Sequence, residues 1–382
     1  MNVIPITMTE TLQGHVTEYQ RTVLATLDEY HQNTSPAVKI SWENRKTENF
    51  TNDTIYSILD YAMAPGGMMP RNYTFTLENV EGPMNAVFPM KIVNAHTSIN
   101  WFQLQESISK DALFDVVRDN INKCYQSLWY RLSYMFWSKQ NEIVTGGVIN
   151  ADDYYPTLRP GVTILTIGDD ATTMFDGLSL AARGNTATHT YGGLTITAGS
   201  DDNANWQAPV DNGTNAIDDH GTSGIGRAIT PSILQNHIGK YSFGGLRPSY
   251  GSMPYNVWTN FSNIVWSMNL GQRNETAIKN AFGIENSLPF RGTEYYSEPW
   301  MMDVHYDSTS GGSIIEWGPD RFYLLLHTST PDPVLVSEIG SSNSMQGFQQ
   351  MPRSTIFFFG LFLWGNYVCQ QRNLIGRINN LL

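Results

Sequence analysis

The chain has 382 residues, with 15% charged, 12% aromatic and a formal net charge of −12. The acidic balance excludes a sequence-independent grip on nucleic acid, which needs clustered Lys and Arg. Cys124 and Cys369 have no second Cys or His at ligand spacing, which excludes a disulfide framework and a zinc site.

The length exceeds what one core usually supports, so two packed domains, or one with large excursions, are expected. Few charges, many Gly, Asn, Ser and Thr, and abundant Trp and Tyr suit a β-rich subunit buried on several sides. The N-terminus lacks the basic and apolar blocks of a signal peptide, so a cytoplasmic product is expected.

Leu12, Val16, Tyr19, Val23, Leu27 and Tyr30 recur at spacings of three and four, predicting an amphipathic helix opened by a Thr7 and Glu10 capping box. From about 70 to 95 the pattern alternates, with Tyr73, Phe75 and Leu77 on one run and Phe88, Met90 and Ile92 on the other. A long hairpin turning at Gly82 and Pro83 is predicted. Leu113, Val117, Ile121, Cys124, Leu128, Leu132 and Phe136 then share one helical face, with Ser109 placed to cap and Asp111 in the first turn. At 1.5 Å per residue this helix, over about 110 to 138, is roughly 40 Å long and spans the molecule.

Residues 141–226 are polar and Gly-rich. "GVTILTIG" and "YGGLTITAG" predict short strands, and 200–226 reads as a long polar loop. "TPSILQNHIGK" predicts a helix with Thr230 as N-cap, Pro231 in its first position and Gly239 as its stop. A strand is predicted around "YNVWT" (255–259), helical stretches from about 260 to 281, and strands in "EYYSEPWMMDVHY", "GSIIEWG" and "DRFYLLLHT". The closing stretch has no charge between Arg353 and Arg372. A membrane span needs about 20 apolar residues, and Gly365, Asn366, Gln370 and Gln371 interrupt this run. It therefore predicts a strand covered on both faces rather than an anchor.

Three constellations invite a chemical reading. Asp169 and Asp170 after Gly168 have the look of a polymerase metal pair, but a preceding metal carboxylate and a Ser-Gly nucleotide-selecting motif are missing. Asp218, Asp219 and His220, with Asp201 and Asp202 nearby, contain usable metal ligands, but three consecutive turn residues do not converge on one ion. "SGIGRAIT" from Ser223 lacks the Gly-Lys-Ser/Thr ending of a phosphate loop, and a helix cap at Thr230 explains it. No catalytic, cofactor-binding or metal residue is assigned, and no enzyme is expected. A carbohydrate-binding or glycoside-cleaving β-rich protein is the distant alternative, resting on aromatics and carboxylates that the sequence cannot pair.

The order of parts resembles the major capsid proteins of tailed bacteriophages, whose α+β fold, the Hong Kong 97 type, is shared with encapsulins. The hairpin near 70 to 95 is similar to the family's extended loop, and the helix of 110 to 138 to its spine helix. "TPSILQNHIGKYSFGGLRPSYGSMPYNVWTN" is similar to the helix, Gly turn and strand that enter the axial domain. "SLPFRGTEYYSEPWM" resembles the stretch before the late strands, and "GNYVCQQRNLIGRINNLL" the closing strand and tail.

The resemblance implies an N-terminal arm over 1–48, an extended loop region over 49–100, and a peripheral domain with spine helix and polar insertion over 101–226. An axial domain with returning peripheral strands would fill 227–382. It implies a structural subunit of an icosahedral viral head, assembling into hexamers and pentamers around double-stranded DNA, with an encapsulin-like compartment as the near alternative. Portal, scaffolding and cement proteins are implied partners, DNA contact would be non-specific, and no membrane is involved. Assembly in the host cytoplasm and residence in the virion follow. No long charged helical region precedes the arm, so a cleaved scaffolding segment is expected to be absent or already removed. Some relatives cross-link through a Lys and an Asn; Lys91 lies near the hairpin, but the sequence matches no partner to it and the chemistry is not assigned.

Overall fold

A single long helix organises the larger of two apolar cores, and the strands that cover it come from both ends of the chain. The computed structural model describes residues 35–49, 54–59, 84–100, 110–137, 175–184, 189–197, 206–211, 228–241, 247–269, 287–298, 300–301, 312–329, 334–335, 349–350 and 356–381. The expected N-terminal helix, the strand at 161–168 and the hairpin arm at Tyr73 to Leu77 with its Gly82 and Pro83 turn lie outside these residues.

Helix α1 (Pro36–Glu43) starts at Ser35, whose hydroxyl oxygen accepts from the Val38 amide at 3.3 Å, with Pro36 in the first helical position. Strand β1 (Lys46–Glu48) follows, then β2 (Thr54–Leu59), β3 (Met84–Pro89) and β4 (Lys91–Asn100). The alternating run through Phe88, Met90 and Ile92 is not one hairpin arm. It divides at Met90: β3 pairs antiparallel with β2, Leu59 opposite Met84, whereas β4 joins the main sheet beside the C-terminal strand. Burial decides this, because Val93 and Ala95 lie in the main core while Ile92 is 63% exposed.

Helix α2 (Lys110–Trp137) has the predicted position and length, 28 residues. Ile121, Cys124, Leu128, Leu132 and Phe136 of its predicted stripe are all buried. The stripe lies on β4 and on the C-terminal strand; the Cys124 thiol donates to the Ala95 carbonyl at 3.0 Å. Phe136 ends the stripe in edge contacts with Trp317, Phe322 and Tyr367, ring centres 5.2 to 5.7 Å apart. Both cysteines are buried free thiols, and burial pushes each up to about 12, so neither is a nucleophile near neutral pH.

A short helix α3 (Leu178–Ala181) leads to β5 (His189–Tyr191) and β6 (Leu194–Ile196). "YGGLTITAG" is thus the turn and second strand of a tight hairpin: Gly192 and Gly193 have φ of +59° and +71°, the left-handed pair that a two-residue turn requires. Part of the expected polar loop is also structural. Trp206 is buried, and β7 (Val210–Asp211) pairs parallel with the last strand, because an indole inside a polar stretch still gains most by leaving water.

Helix α4 (Pro231–Tyr241) is capped as predicted, Thr230 Oγ1 accepting from the Ile233 amide at 3.3 Å. It runs through Gly239, which does not stop it. Strand β8 (Tyr250–Met253) precedes α5 (Tyr255–Asn269), and here the predicted strand at 255–259 is wrong. Val257, Phe261 and Val265, four residues apart, are all buried, and that helical stripe outweighs the β-branched and aromatic content of "YNVWT".

The final third is strand-rich as expected: β9 (Ser287–Phe290), β10 (Thr293–Ser297), β11 (Gly312–Trp317), β12 (Phe322–His327), β13 (Val334–Leu335), β14 (Gln349–Gln350), β15 (Ile356–Cys369) and β16 (Gly376–Leu381). In the main sheet β4 lies along β15 from Ile356 to Gly365, while β12, β13 and β14 pair with other stretches of β15 and β1 adds to β12. Leu361, Leu363, Tyr367 and Val368 are buried, so the apolar closing run is indeed a covered strand. Among the described residues no helix is long and apolar enough to cross a membrane. The second sheet has the order β7-β16-β11-β8-β10-β9, and α4 and α5 pack against it around a smaller core that includes Leu234, Val257, Phe261, Tyr295 and Ile378.

Candidate assembly site

Among the described residues no three His, Cys, Asp or Glu side chains group as metal ligands. Gly168, Asp169, Asp170, Asp201, Asp202, Asp218, Asp219, His220 and Ser223 all lie outside the described residues. What the structure does build with care is the root of the 60–83 segment, the β2–β3 ladder. Leu59 and Met84 are the last described pair of that ladder and stand opposite each other, so the two ends of the 60–83 segment lie side by side.

The root is clamped from the inside. Ile55, Ala86 and Phe88 are buried, while Tyr56, on the opposite side of β2, is 60% exposed. Phe88 meets the Tyr191 ring edge-on at 5.4 Å, Tyr191 stacks with Trp206, and the Trp206 indole N–H donates to the Tyr191 carbonyl at 3.3 Å. The Val87 amide donates to Gly192 at 2.8 Å, which fixes β3 to the β5–β6 turn. Beneath this cluster Arg372 is fully buried, its guanidinium 5.0 Å from the Tyr191 ring centre. It donates to the carbonyls of Ala181 at 2.6 Å, Leu180 at 3.2 Å and Arg183, and contacts His189 Nε2. The C-terminal segment thereby holds both the 180–183 turn and the β5–β6 hairpin.

A second clamp sits where β3 hands over to β4. Lys91 Nζ donates to Asp176 Oδ1 at 3.0 Å, and Asn366 Nδ2 donates to Asp176 Oδ2 at 2.6 Å and to the Pro89 carbonyl at 2.8 Å. Asn366 Oδ1 accepts the amides of Asp176 and Tyr367, both at 2.8 Å. All three side chains are buried. Lys91 is therefore committed to an ion pair inside its own subunit.

Glu298 makes a third junction. Fully buried, it accepts from the Ser35 hydroxyl at 2.7 Å and the amides of Ala37 and Trp300 at 3.3 Å, while the Trp137 indole donates to Ser35 Oγ. One carboxyl thus joins the start of α1, the end of α2 and the exit of β10. Burial pushes it up to about 8, against the lowering effect of the donors. Its folded value lies above the usual 4.5, so the stability it gives is complete below about 4.5 and is lost as pH rises through about 8. Glu298→Gln should flatten that part of the pH profile, read as the difference in melting temperature between the two proteins from pH 5 to 9. A parallel pair of curves would refute it.

Lys91, Asp176 and Asn366 are single polar residues inside apolar runs, as Asn366 is in "FLWGNYVC". That interruption is the signal by which a sequence reading can find them. It does not say which partner each one meets.

No protein-family profile and no curated protein sequence matches the chain. Solved structures do match. A chain of the cyanophage A-1(L) capsid asymmetric unit aligns over 91% of this chain and 93% of its own, with a TM-score of 0.61 and 13% sequence identity. This chain has the Hong Kong 97-type fold of phage capsid proteins. At that identity the Hong Kong 97-type likeness is one of fold. A capsid chain of a native GTA particle covers 90% of both chains at a TM-score of 0.48 and 9% identity. The SrpI encapsulin of Synechococcus elongatus PCC 7942 covers 88% of this chain and 84% of its own, at a TM-score of 0.40 and 8% identity.

Proposed function

We propose that this chain is a major capsid protein, the structural subunit of an icosahedral viral head that forms hexamers and pentamers around packaged double-stranded DNA. The observation that carries the reading is the whole-length match to a phage capsid chain in fold. The clamped root agrees with it: an excursion whose two feet are fixed by buried aromatics and an ion pair can bear load from a neighbouring copy. The subunit needs no catalytic site, because a closed symmetric shell gains its stability from many moderate contacts repeated between copies.

In this reading residues 1–48 form the N-terminal arm and 49–100 the extended loop region, with β2 and β3 as its feet. Residues 101–226 form the peripheral domain with α2 as spine helix. Residues 227–382 form the axial domain and the strands that return to the peripheral one; the two separate cores support that division. The net charge of −12 suits a lining that DNA can slide past. Portal, scaffolding and cement proteins are the further partners, and the virion, after assembly in the host cytoplasm, is the location.

Electron microscopy of the purified chain tests the proposal. Closed shells, tubes or capsomer rings are expected, and shells from infected cells should contain DNA. Shells holding a protein cargo instead would identify an encapsulin-like compartment, and a compact monomer under all conditions would overturn the reading.

A further inference from the structure

The second core holds a polar centre that the shell reading does not use. Glu316 of β11 and His237 of α4 are both buried, Oε2 lying 3.1 Å from Nδ1, and the Tyr295 hydroxyl of β10 donates to Glu316 Oε1. The backbone makes room for this. Paired residues share a face of the sheet, so Tyr295, Gly251, Glu316 and Gly376 form one row across β10, β8, β11 and β16. A Cβ on Gly251 would lie 2.4 Å from the Tyr295 ring, so the glycine is what lets the phenol reach across β8 to the carboxyl. Around the row are Leu234, Val257, Phe261, Ile314 and Ile378, all apolar and buried.

We propose that the Tyr295, Glu316 and His237 centre is a proton-controlled latch, which holds helix α4 on the second sheet while carboxyl and imidazole share one proton and loosens it when that proton is lost. With one shared proton the Glu316 and His237 pair is neutral overall, whichever of the two carries it. Without it the pair holds a net negative charge away from water, which is costly unless the helix moves and lets water in. Other charged groups on the packed elements lie off the row. Arg377 pairs with Ile315 and Glu294 with Tyr250, so both belong to the opposite face. Asp211 of β7 pairs with Ile378, one row further along. Helix α4 also carries Lys240, and α5 has no charged residue. Burial pushes the Glu316 carboxyl up to about 8, offset in part by the Tyr295 hydroxyl, so the proton is lost within an accessible range.

The sign follows from linkage. The folded carboxyl keeps its proton up to about 8, whereas the unfolded one loses it near 4.5. Wild type should therefore lose stability relative to Glu316→Gln steadily across that interval, and above about 8 the two profiles should have the same slope. Between pH 6 and pH 8 the melting temperature of wild type is expected to fall by roughly 3 °C more than that of the variant. Glu298 is present in both proteins and cancels. Hydrogen exchange on the wild-type chain locates the effect: after correction for intrinsic rates, amides of 231–241 should lose protection over this pH range while those of 255–269 keep theirs. Parallel melting curves would overturn the proposal, and so would an equal response of the two helices, which needs no variant to observe.

Discussion

A chain lacking residues 60–83, with Leu59 joined to Met84 through a two-residue turn, is expected to fold but to form no shells. Leu59 and Met84 already face each other as register partners, so a tight turn closes the ladder without moving β2 or β3. The clamps lie below the cut: Phe88 on Tyr191, the Val87 amide on Gly192, and the Lys91, Asp176 and Asn366 cluster all remain. Shortening the connection between two paired strands changes closure entropy only slightly, so the melting temperature should move by no more than a few degrees, about 1 kcal/mol in stability. Assembly should be lost outright, because contacts repeated around a lattice fail together when each is weakened. Electron microscopy and the melting curve read the two effects separately. A truncated chain that built shells as well as wild type would refute the excursion's role. A longer cut over 70–95 is not equivalent, since it removes Lys91 and the start of β4, which pairs with β15.

Lys91→Met should cost about 3–5 kcal/mol in unfolding free energy, the usual penalty for leaving one member of a buried ion pair alone. Asp176 keeps Asn366 but loses the Lys91 ammonium, and the handover from β3 to β4 loses its direct ion pair with the 175–184 segment. A double variant, Lys91→Met with Asp176→Leu, should recover much of the loss, because no charge is then stranded. Denaturant midpoints of the two single variants and the double one measure this. A cost below about 1 kcal/mol for Lys91→Met would show that the pair is solvated in the folded chain.

Elements with a strong period were legible before any tertiary information. The seven-member stripe from Leu113 to Phe136 predicts α2 because 3.6-residue periodicity and length leave no other element to fit it, and Thr230 with Pro231 predicts the start of α4. The strand predicted at "YNVWT" failed for a different reason. Five residues of β-branched and aromatic type suit a strand locally, and only the placement of Phe261 and Val265 against the second sheet selects a helix. The hairpin was half legible: the alternation through Phe88 and Ile92 is real, but one run serves two sheets, and which one each half joins depends on strands 270 residues or so away in sequence.

The candidate sites divide along the same line. The acidic clusters that sequence reasoning weighed stand in polar stretches, where local composition draws attention. The groups that the structure ties together, Lys91 with Asp176 and Asn366, Ser35 with Glu298, and His237 with Glu316, are up to 263 residues apart. Lys91, Asp176, Asn366 and Glu316 are each a single polar residue in an apolar neighbourhood, whereas Ser35 and His237 follow polar ones.

Local patterning therefore determined α2, the start of α4, the covered C-terminal strand and the acidic balance of the chain, because periodicity, capping and charge act over a few residues. Tertiary structure alone decided where β4 pairs, how the root of the excursion is clamped and which buried charges meet. Those depend on long-range pairing, in which a buried polar group is tolerated only beside the one partner that satisfies it.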